Sequence, residues 1–171
     1  MRKAFYIALI GLISIISFRF YSALYYPALN SDNAVTVLMI HYFKLPDDLY
    51  FWGQDRLGSL IPLLGQVFFR LFKLSPLLSE SVVHYLILLA GFLAFSYFIK
   101  NYFYKIIFAV IWFLPPMRLI DVTQFSFGIH YSLIAILCFL LSELEKCKSC
   151  IKHHLLLVSI VLTAVTVIWV T

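Results

Sequence analysis

The sequence predicts an all-α polytopic membrane protein, with about five transmembrane helices and interfacial amphipathic helices in its first external loop. Three observations carry that prediction. Of the 171 residues, 63% are hydrophobic and only 12% are charged, against roughly 25% charged in an ordinary soluble domain. The apolar residues gather in runs near the ~20 residues that a bilayer-crossing helix needs. Between the first and second runs lies a segment, 27 to 78, too polar to cross and too apolar to be a free loop. The chain reads as one membrane domain: residues 1 to 26 as first span, 27 to 78 as external loop, and 79 to 171 as four further spans.

The candidate spans run near residues 4 to 26, 79 to 99, 106 to 119, 128 to 142 and 154 to 171. The third and fourth are short, and tilting, or extension by the segment between them, would lengthen them. Arg2 and Lys3 ahead of the first run would suit a signal peptide, but the run is long and no small-x-small cleavage pattern follows it, so it reads as a retained anchor. Arg19, toward the outer end of that run, suits a snorkelling cation, with contact to a lipid phosphate as the other reading.

Orientation comes from the short loops, because Lys and Arg accumulate on the cytoplasmic side. Arg2 and Lys3, then Lys100 and Lys105, then Lys146, Lys148 and Lys152 fall on one side of the predicted topology, which places the amino terminus in the cytoplasm of a cell (inner or plasma) membrane. Asp32, Asp47, Asp48, Asp55, Glu80 and Asp121 then fall on or near the external side, and Glu143 and Glu145 inside. The net charge of +5 is spread singly between apolar runs, without the basic stripe that a phosphate backbone requires, so nucleic acid is excluded as a partner.

Within the external segment, NAVTVLMIHYF places Val35, Leu38, Met39 and Tyr42 at helical spacing, and predicts a helix near 33 to 43 with Ser31 or Asp32 as its cap. GSLIPLLGQVFFRLFKL predicts a second helix near 60 to 73. Ser59 is its cap and Pro62 lies in its first turn, while Leu60, Leu64, Val67, Phe68, Leu71 and Phe72 form the apolar side and Arg70 and Lys73 sit near its end. Both should lie in the membrane plane. KLPDDLYFWGQDRLG between them has loop chemistry, with acids, two glycines and a proline.

The order of these features carries a resemblance: one span, an acid just outside it in SDNA, an amphipathic helix, the run YFWGQDRLGSLIPLL, a second interfacial helix, then short spans. Over roughly residues 1 to 145 it resembles the amino-terminal part of a C-type (GT-C) membrane glycosyltransferase, the superfamily of the protein O-mannosyltransferases and the lipid A aminoarabinose transferase. The resemblance implies transfer of a sugar from a polyprenyl-phosphate carrier to an acceptor at the outer face. It also implies that Asp32 acts as general base or positions a divalent cation. A positioned carboxylate that takes a hydroxyl's proton during attack contributes about 10²- to 10⁴-fold. The bland reading of Asp32 is a helix cap at the membrane surface, and the two roles are compatible.

Gln54, Asp55 and Arg56 stand in GQDRLG: Arg56 suits the carrier phosphate through its planar fork, and Asp55 would hold that arginine or the sugar. A solvated turn with an ordinary ion pair is the alternative. PPMRLIDVTQFSFG opens on a double proline that ends the third span; in the resembling enzymes this region borders the same cavity as the first loop, so the resemblance implies Asp121 as a candidate second acid and Arg118 as a candidate phosphate ligand, against a plain interfacial loop. CKSCIKHH invites a metal but lacks the second ligand pair of known zinc patterns, so its cysteines read as reduced cytoplasmic thiols. Cys138, His41 and His84 read as packing or interfacial residues. The sequence holds no P-loop, dinucleotide fingerprint, G-x-S-x-G motif, N-x-[ST] sequon or internal repeat.

The family's members carry more spans, and often a further external domain. The chain is therefore expected to be the amino-terminal portion of a larger transferase, completed by a carboxy-terminal portion or partner subunit. A different class of reading is a small non-catalytic multi-pass protein that packs against partner subunits or binds membrane lipid.

Overall fold

The computed structural model describes residues 2–26, 31–54, 57–116 and 126–170, without the side chains of Arg2, Ser126, Phe127 and Cys150. Among these residues the chain forms seven helices and no strand: α1 Arg2–Tyr21, α2 Ser31–Tyr42, α3 Leu60–Leu71, α4 Pro76–Tyr97, α5 Tyr102–Phe113, α6 Ser126–Lys146 and α7 Cys150–Val170. At ~1.5 Å per residue, a helix of about 20 residues reaches the ~30 Å of a hydrocarbon core. Four stretches are long and apolar enough: Lys3–Tyr21, Pro76–Tyr97, Gly128–Lys146 and Ile151–Val170.

The expected third span, 106 to 119, coincides in part with α5, whose 12 residues rise only ~18 Å. Pro115 and Pro116 follow its end, as the double proline predicts, and residues 117 to 119 lie outside the described part.

Local chemistry sets the helix starts. Ser75 accepts the Leu78 N–H at 3.3 Å and Pro76 opens α4 with its φ already set, while Asn101 accepts the Phe103 N–H at 2.9 Å ahead of α5. Ser59 precedes α3 but makes no cap bond; its hydroxyl donates to the Asp48 carbonyl instead, tying the helix to the loop before it.

Central helix α4 packs against α6 above all, and also against α1, α2, α3 and α5. One core cluster joins Ile10 and Ile13 of α1, Leu88 and Phe92 of α4, and Ala109 and Phe113 of α5. Trp112 donates to the Leu88 carbonyl at 3.0 Å across it. The buried Ser17 hydroxyl donates to the Phe113 carbonyl and lies 2.8 Å from the Tyr85 hydroxyl, so one small polar group links α1, α4 and α5. The second cluster joins Ile61, Val83, Ile129, Leu133 and Val170, from α3, α4, α6 and α7. Gly91 lets α6 approach α4 closely, since a Cβ there would fall 2.5 Å from the Ser132 Cα.

Contacts sort the helix ends into two sets. At one end Tyr97 of α4 donates to Glu143 of α6 at 2.5 Å, and Lys146 donates to the Tyr97 hydroxyl and lies 4.6 Å over its ring. At the other, the Leu24 N–H donates to Ser81 at 3.0 Å, and His130 of α6 is 3.0 Å from the Val170 carbonyl. Lys100, Lys105, Lys148 and Lys152 flank helix termini of the first set.

The inward faces of the two short helices mix polar and apolar residues. In α2, Asn33, Met39 and Ile40 are buried, whereas Leu38 and Tyr42 point outward. In α3, Ile61, Pro62, Gly65 and Gln66 are buried, while Leu64, Val67, Leu71 and Phe72 are exposed. The predicted apolar sides are therefore divided: Met39 is buried and Leu60 and Phe68 pack against the second cluster, while Leu38, Tyr42, Leu64, Val67, Leu71 and Phe72 face outward. The inward faces hold the pair together: Gln66 donates to the Ile40 carbonyl, and Gly65 leaves room for the Ile40 side chain.

Candidate functional site

A cleft opens at the end of the bundle where α4 and α6 begin and α7 ends, under the segment that joins α2 to α3. Its volume is about 90 Å³, and Asp32, Thr36, Gln54, Glu80 and His84 contribute polar groups to its wall. At ~10–15 Å³ per water on this measure, it has room for several water-sized groups. Phe51, Ile61, Pro62, Ile129 and Val170 supply apolar wall.

The covering loop is held in place at several points. Asp48 accepts the Lys44 N–H and the Trp52 indole N–H, each at 2.6 Å. Tyr50 and Gly58 pair as an isolated antiparallel bridge, with the Phe51 N–H donating to the Leu57 carbonyl at 2.9 Å. The bridge closes a short loop around Gln54, and Gly53, at φ +78°, takes the left-handed turn that a glycine accommodates without strain. The end of α7 anchors the same loop. Trp169 donates its indole N–H to the Leu49 carbonyl at 3.0 Å and accepts the Gly58 N–H at 2.8 Å.

Asp32 is the second residue of α2, so its carboxylate sits in the first turn, where the helix dipole favours negative charge. Its carbonyl accepts from Thr36 at 2.9 Å, and the Ser31 hydroxyl lies 3.5 Å from its Oδ1. The residue is exposed at the cleft mouth, as is Gln54. Two of the six sequence-derived site residues, Asp32 and Gln54, therefore share one cleft. Asp55, Arg56, Arg118 and Asp121 lie outside the described residues.

Opposite the mouth are two groups that the sequence reading did not place in a site. Glu80 and His84, each 2% exposed, stand one turn apart on α4 and line the cleft. Glu80 accepts a hydrogen bond from Ser81 at 3.1 Å. The signal was present: an acid and an imidazole four residues apart lie on one helix face, and ionisable residues within an apolar span mark function by default. His84 is buried as a packing residue would be, and it is also cleft wall.

No protein family, curated protein or solved structure matches the chain.

Among the described residues no three His, Cys, Asp or Glu side chains come together as a metal site requires. What the cleft can do is bind a small polar group between exposed Asp32 and buried Glu80 and His84, with amide and hydroxyl partners from Gln54 and Thr36. Arg19, the other cation singled out in the first span, is exposed and lies 4.5 Å over the Tyr25 ring, away from these groups.

Proposed function

We propose that the chain forms the substrate end of a membrane glycosyltransferase, which moves a sugar from a polyprenyl-phosphate carrier to an acceptor at the external face. A larger transferase, including a carboxy-terminal portion or partner subunit, would complete it. The observation that carries this reading is that the first-loop acid, Asp32, stands at the mouth of a cleft whose wall holds buried polar groups. In the reaction, Asp32 takes the acceptor hydroxyl proton as the oxygen attacks the sugar's anomeric carbon, and the carrier phosphate leaves with the bonding electron pair. Glu80 and His84 hold the bound groups from the far wall. The lysine-flanked end of the bundle faces the cytoplasm, and the cleft faces outward.

The test is transfer from a polyprenyl-phosphate sugar by the full-length protein in proteoliposomes. Asp32→Asn keeps the size of the side chain and removes the base. It should lower transfer by about 10²- to 10⁴-fold, while costing at most about 1 kcal/mol in helix-dipole stabilisation. Transfer by Asp32→Asn near the wild-type rate would sink the general-base assignment.

A second reading is favoured by α7, whose residues Ile151, Leu155, Leu162 and Ile168 are each more than 60% exposed. So long an apolar face suits a chain that packs against further helices without catalysing anything. Wild-type protein that never transfers sugar, yet co-purifies in fixed ratio with a membrane partner, would favour it.

A further inference from the structure

The end of the bundle away from the cleft gathers cations from five helices. The Tyr6 ring of α1 lies 5.0 Å from the Tyr102 ring at the start of α5, which brings the first turns of α1 beside the turn between α4 and α5. Tyr97 and Lys146 join the ends of α4 and α6, and α7 starts four residues after Lys146. Lys3, Lys100, Lys105, Lys146, Lys148 and Lys152 therefore share one end. The described acids there are Glu143 and Glu145, so a surplus of four positive charges remains. Glu143 holds Lys146 at 3.4 Å, whereas Lys3, Lys100, Lys148 and Lys152 are exposed and form no ion pair among the described residues. Aromatic rings crowd the same end. Phe98, Tyr102, Phe103 and Tyr104 are all exposed between Tyr97 and Lys105, and the Lys105 ammonium stands 5.8 Å from the centre of the Tyr102 ring, as that of Lys146 stands 4.6 Å from Tyr97.

We propose that this end of the bundle is a binding surface for anionic membrane lipids: the lysines pair with headgroup phosphates, and the aromatic rings insert between the headgroups beside them. The inference is independent of the transferase reading, whose residues lie at the other end. Depth is the first argument. Amphipathic rings such as tyrosine settle at the level of the headgroups, and a lysine lays its apolar stem along such a surface while its ammonium stays in the polar layer. Lys105 over Tyr102 and Lys146 over Tyr97 are thereby held at the level of the phosphates. Breadth is the second. The charge is spread over the termini of five helices instead of converging on one point, which suits many headgroups better than one small anion. The third is the company the charges keep: Phe98 and Phe103, 50% and 63% exposed, call for an apolar medium next to the lysines, and free phosphate supplies none. Each lysine near an anionic bilayer surface strengthens association roughly fivefold, so unpaired lysines acting together set a clear preference for charged lipid.

The experiment uses the full chain in phosphatidylcholine nanodiscs that carry a trace of one of two photoactivatable lipids, a phosphatidylglycerol or a phosphatidylcholine, each with a diazirine near the glycerol end of one chain. Crosslinked residues are mapped by mass spectrometry. At about 0.1 M salt the phosphatidylglycerol probe should label residues 97 to 105 and 146 to 152 about tenfold more than the phosphatidylcholine probe does. At about 1 M salt, where the screening length falls to ~3 Å, most of that excess should vanish. The triple variant Lys100→Gln, Lys148→Gln, Lys152→Gln changes exposed side chains alone and should bring the two probes to within about twofold of each other. Equal labelling of this end by both probes in the wild-type protein overturns the proposal, as does an excess equally large at the cleft end or one that the triple variant leaves untouched. Inorganic phosphate that removes the excess beyond the effect of sodium chloride at equal ionic strength would assign the lysines to a free anion. Displacement of the anionic probe by poly-glutamate that also stays bound to discs of phosphatidylcholine alone would assign them to an acidic protein segment. Either result overturns the lipid assignment.

Discussion

Trp169 lies so close over Gly58 that no side chain fits between them: the Gly58 N–H donates to the Trp169 carbonyl at 2.8 Å, and a Cβ at Gly58 would stand 2.5 Å from indole atoms. The contact joins the last turn of α7 to the loop over the cleft, more than a hundred residues apart in sequence.

Gly58→Ala should therefore push the indole aside and break its bond to the Leu49 carbonyl. Overpacking of this kind costs about 1–3 kcal/mol. The loss should appear as easier proteolysis of the covering loop before any loss of helix content. Trp169→Ala removes the obstacle, and the double variant should be no less stable than Trp169→Ala alone. Additive losses in thermal unfolding would show that the two residues are not coupled.

Gly91 and Gly65 should respond differently to the same substitution. At Gly91 the obstacle is the Ser132 backbone, 2.5 Å away, so Gly91→Ala forces α4 and α6 apart and should lower expression and thermal stability sharply. At Gly65 the nearest atom is the Ile40 Cδ1 at 2.6 Å, the end of a side chain. Gly65→Ala should cost at the low end of about 1–3 kcal/mol, and Ile40→Val, which removes that atom, should recover part of it. Ser132→Gly leaves the backbone where it is and should not rescue Gly91→Ala. A rescue there would count against the helix approach described.

Orientation has a direct measurement. Cys147 and Cys150 flank the lysine-rich end, so an impermeant thiol reagent should leave them unlabelled in intact cells and label them after permeabilisation. A cysteine placed at Gln54, exposed at the cleft mouth, should react without permeabilisation. The opposite pattern would reverse the topology and put the cleft in the cytoplasm.

The long helices were legible because length and apolarity are one-dimensional quantities: the runs from 4, 79, 128 and 154 all reappear as helices of membrane length. The double proline likewise marked the end of α5. Which faces of α2 and α3 turn inward was not legible. Periodicity finds the apolar stripe but does not say whether protein or lipid covers it, and here Gly65 and Gln66 face inward while Leu71 and Phe72 face out. Asp32 stood out as an acid beside an apolar run. Glu80 and His84 did not, because each looked tolerable alone, and only the arrival of Ile129, Val170 and the covering loop makes their surroundings a cleft.

The union of α2 with α3 gives the protein a lever. Gln66 and Gly65 lock α3 to Ile40, while Leu64, Val67, Leu71 and Phe72 of that same helix face outward. Through these two contacts a displacement of α3 would bear on Ile40 and so on the helix that carries Asp32. If that outward face meets lipid, membrane thickness and chain packing would act on the position of the acid, and transfer assayed in short-chain detergent should differ from transfer in a thick bilayer.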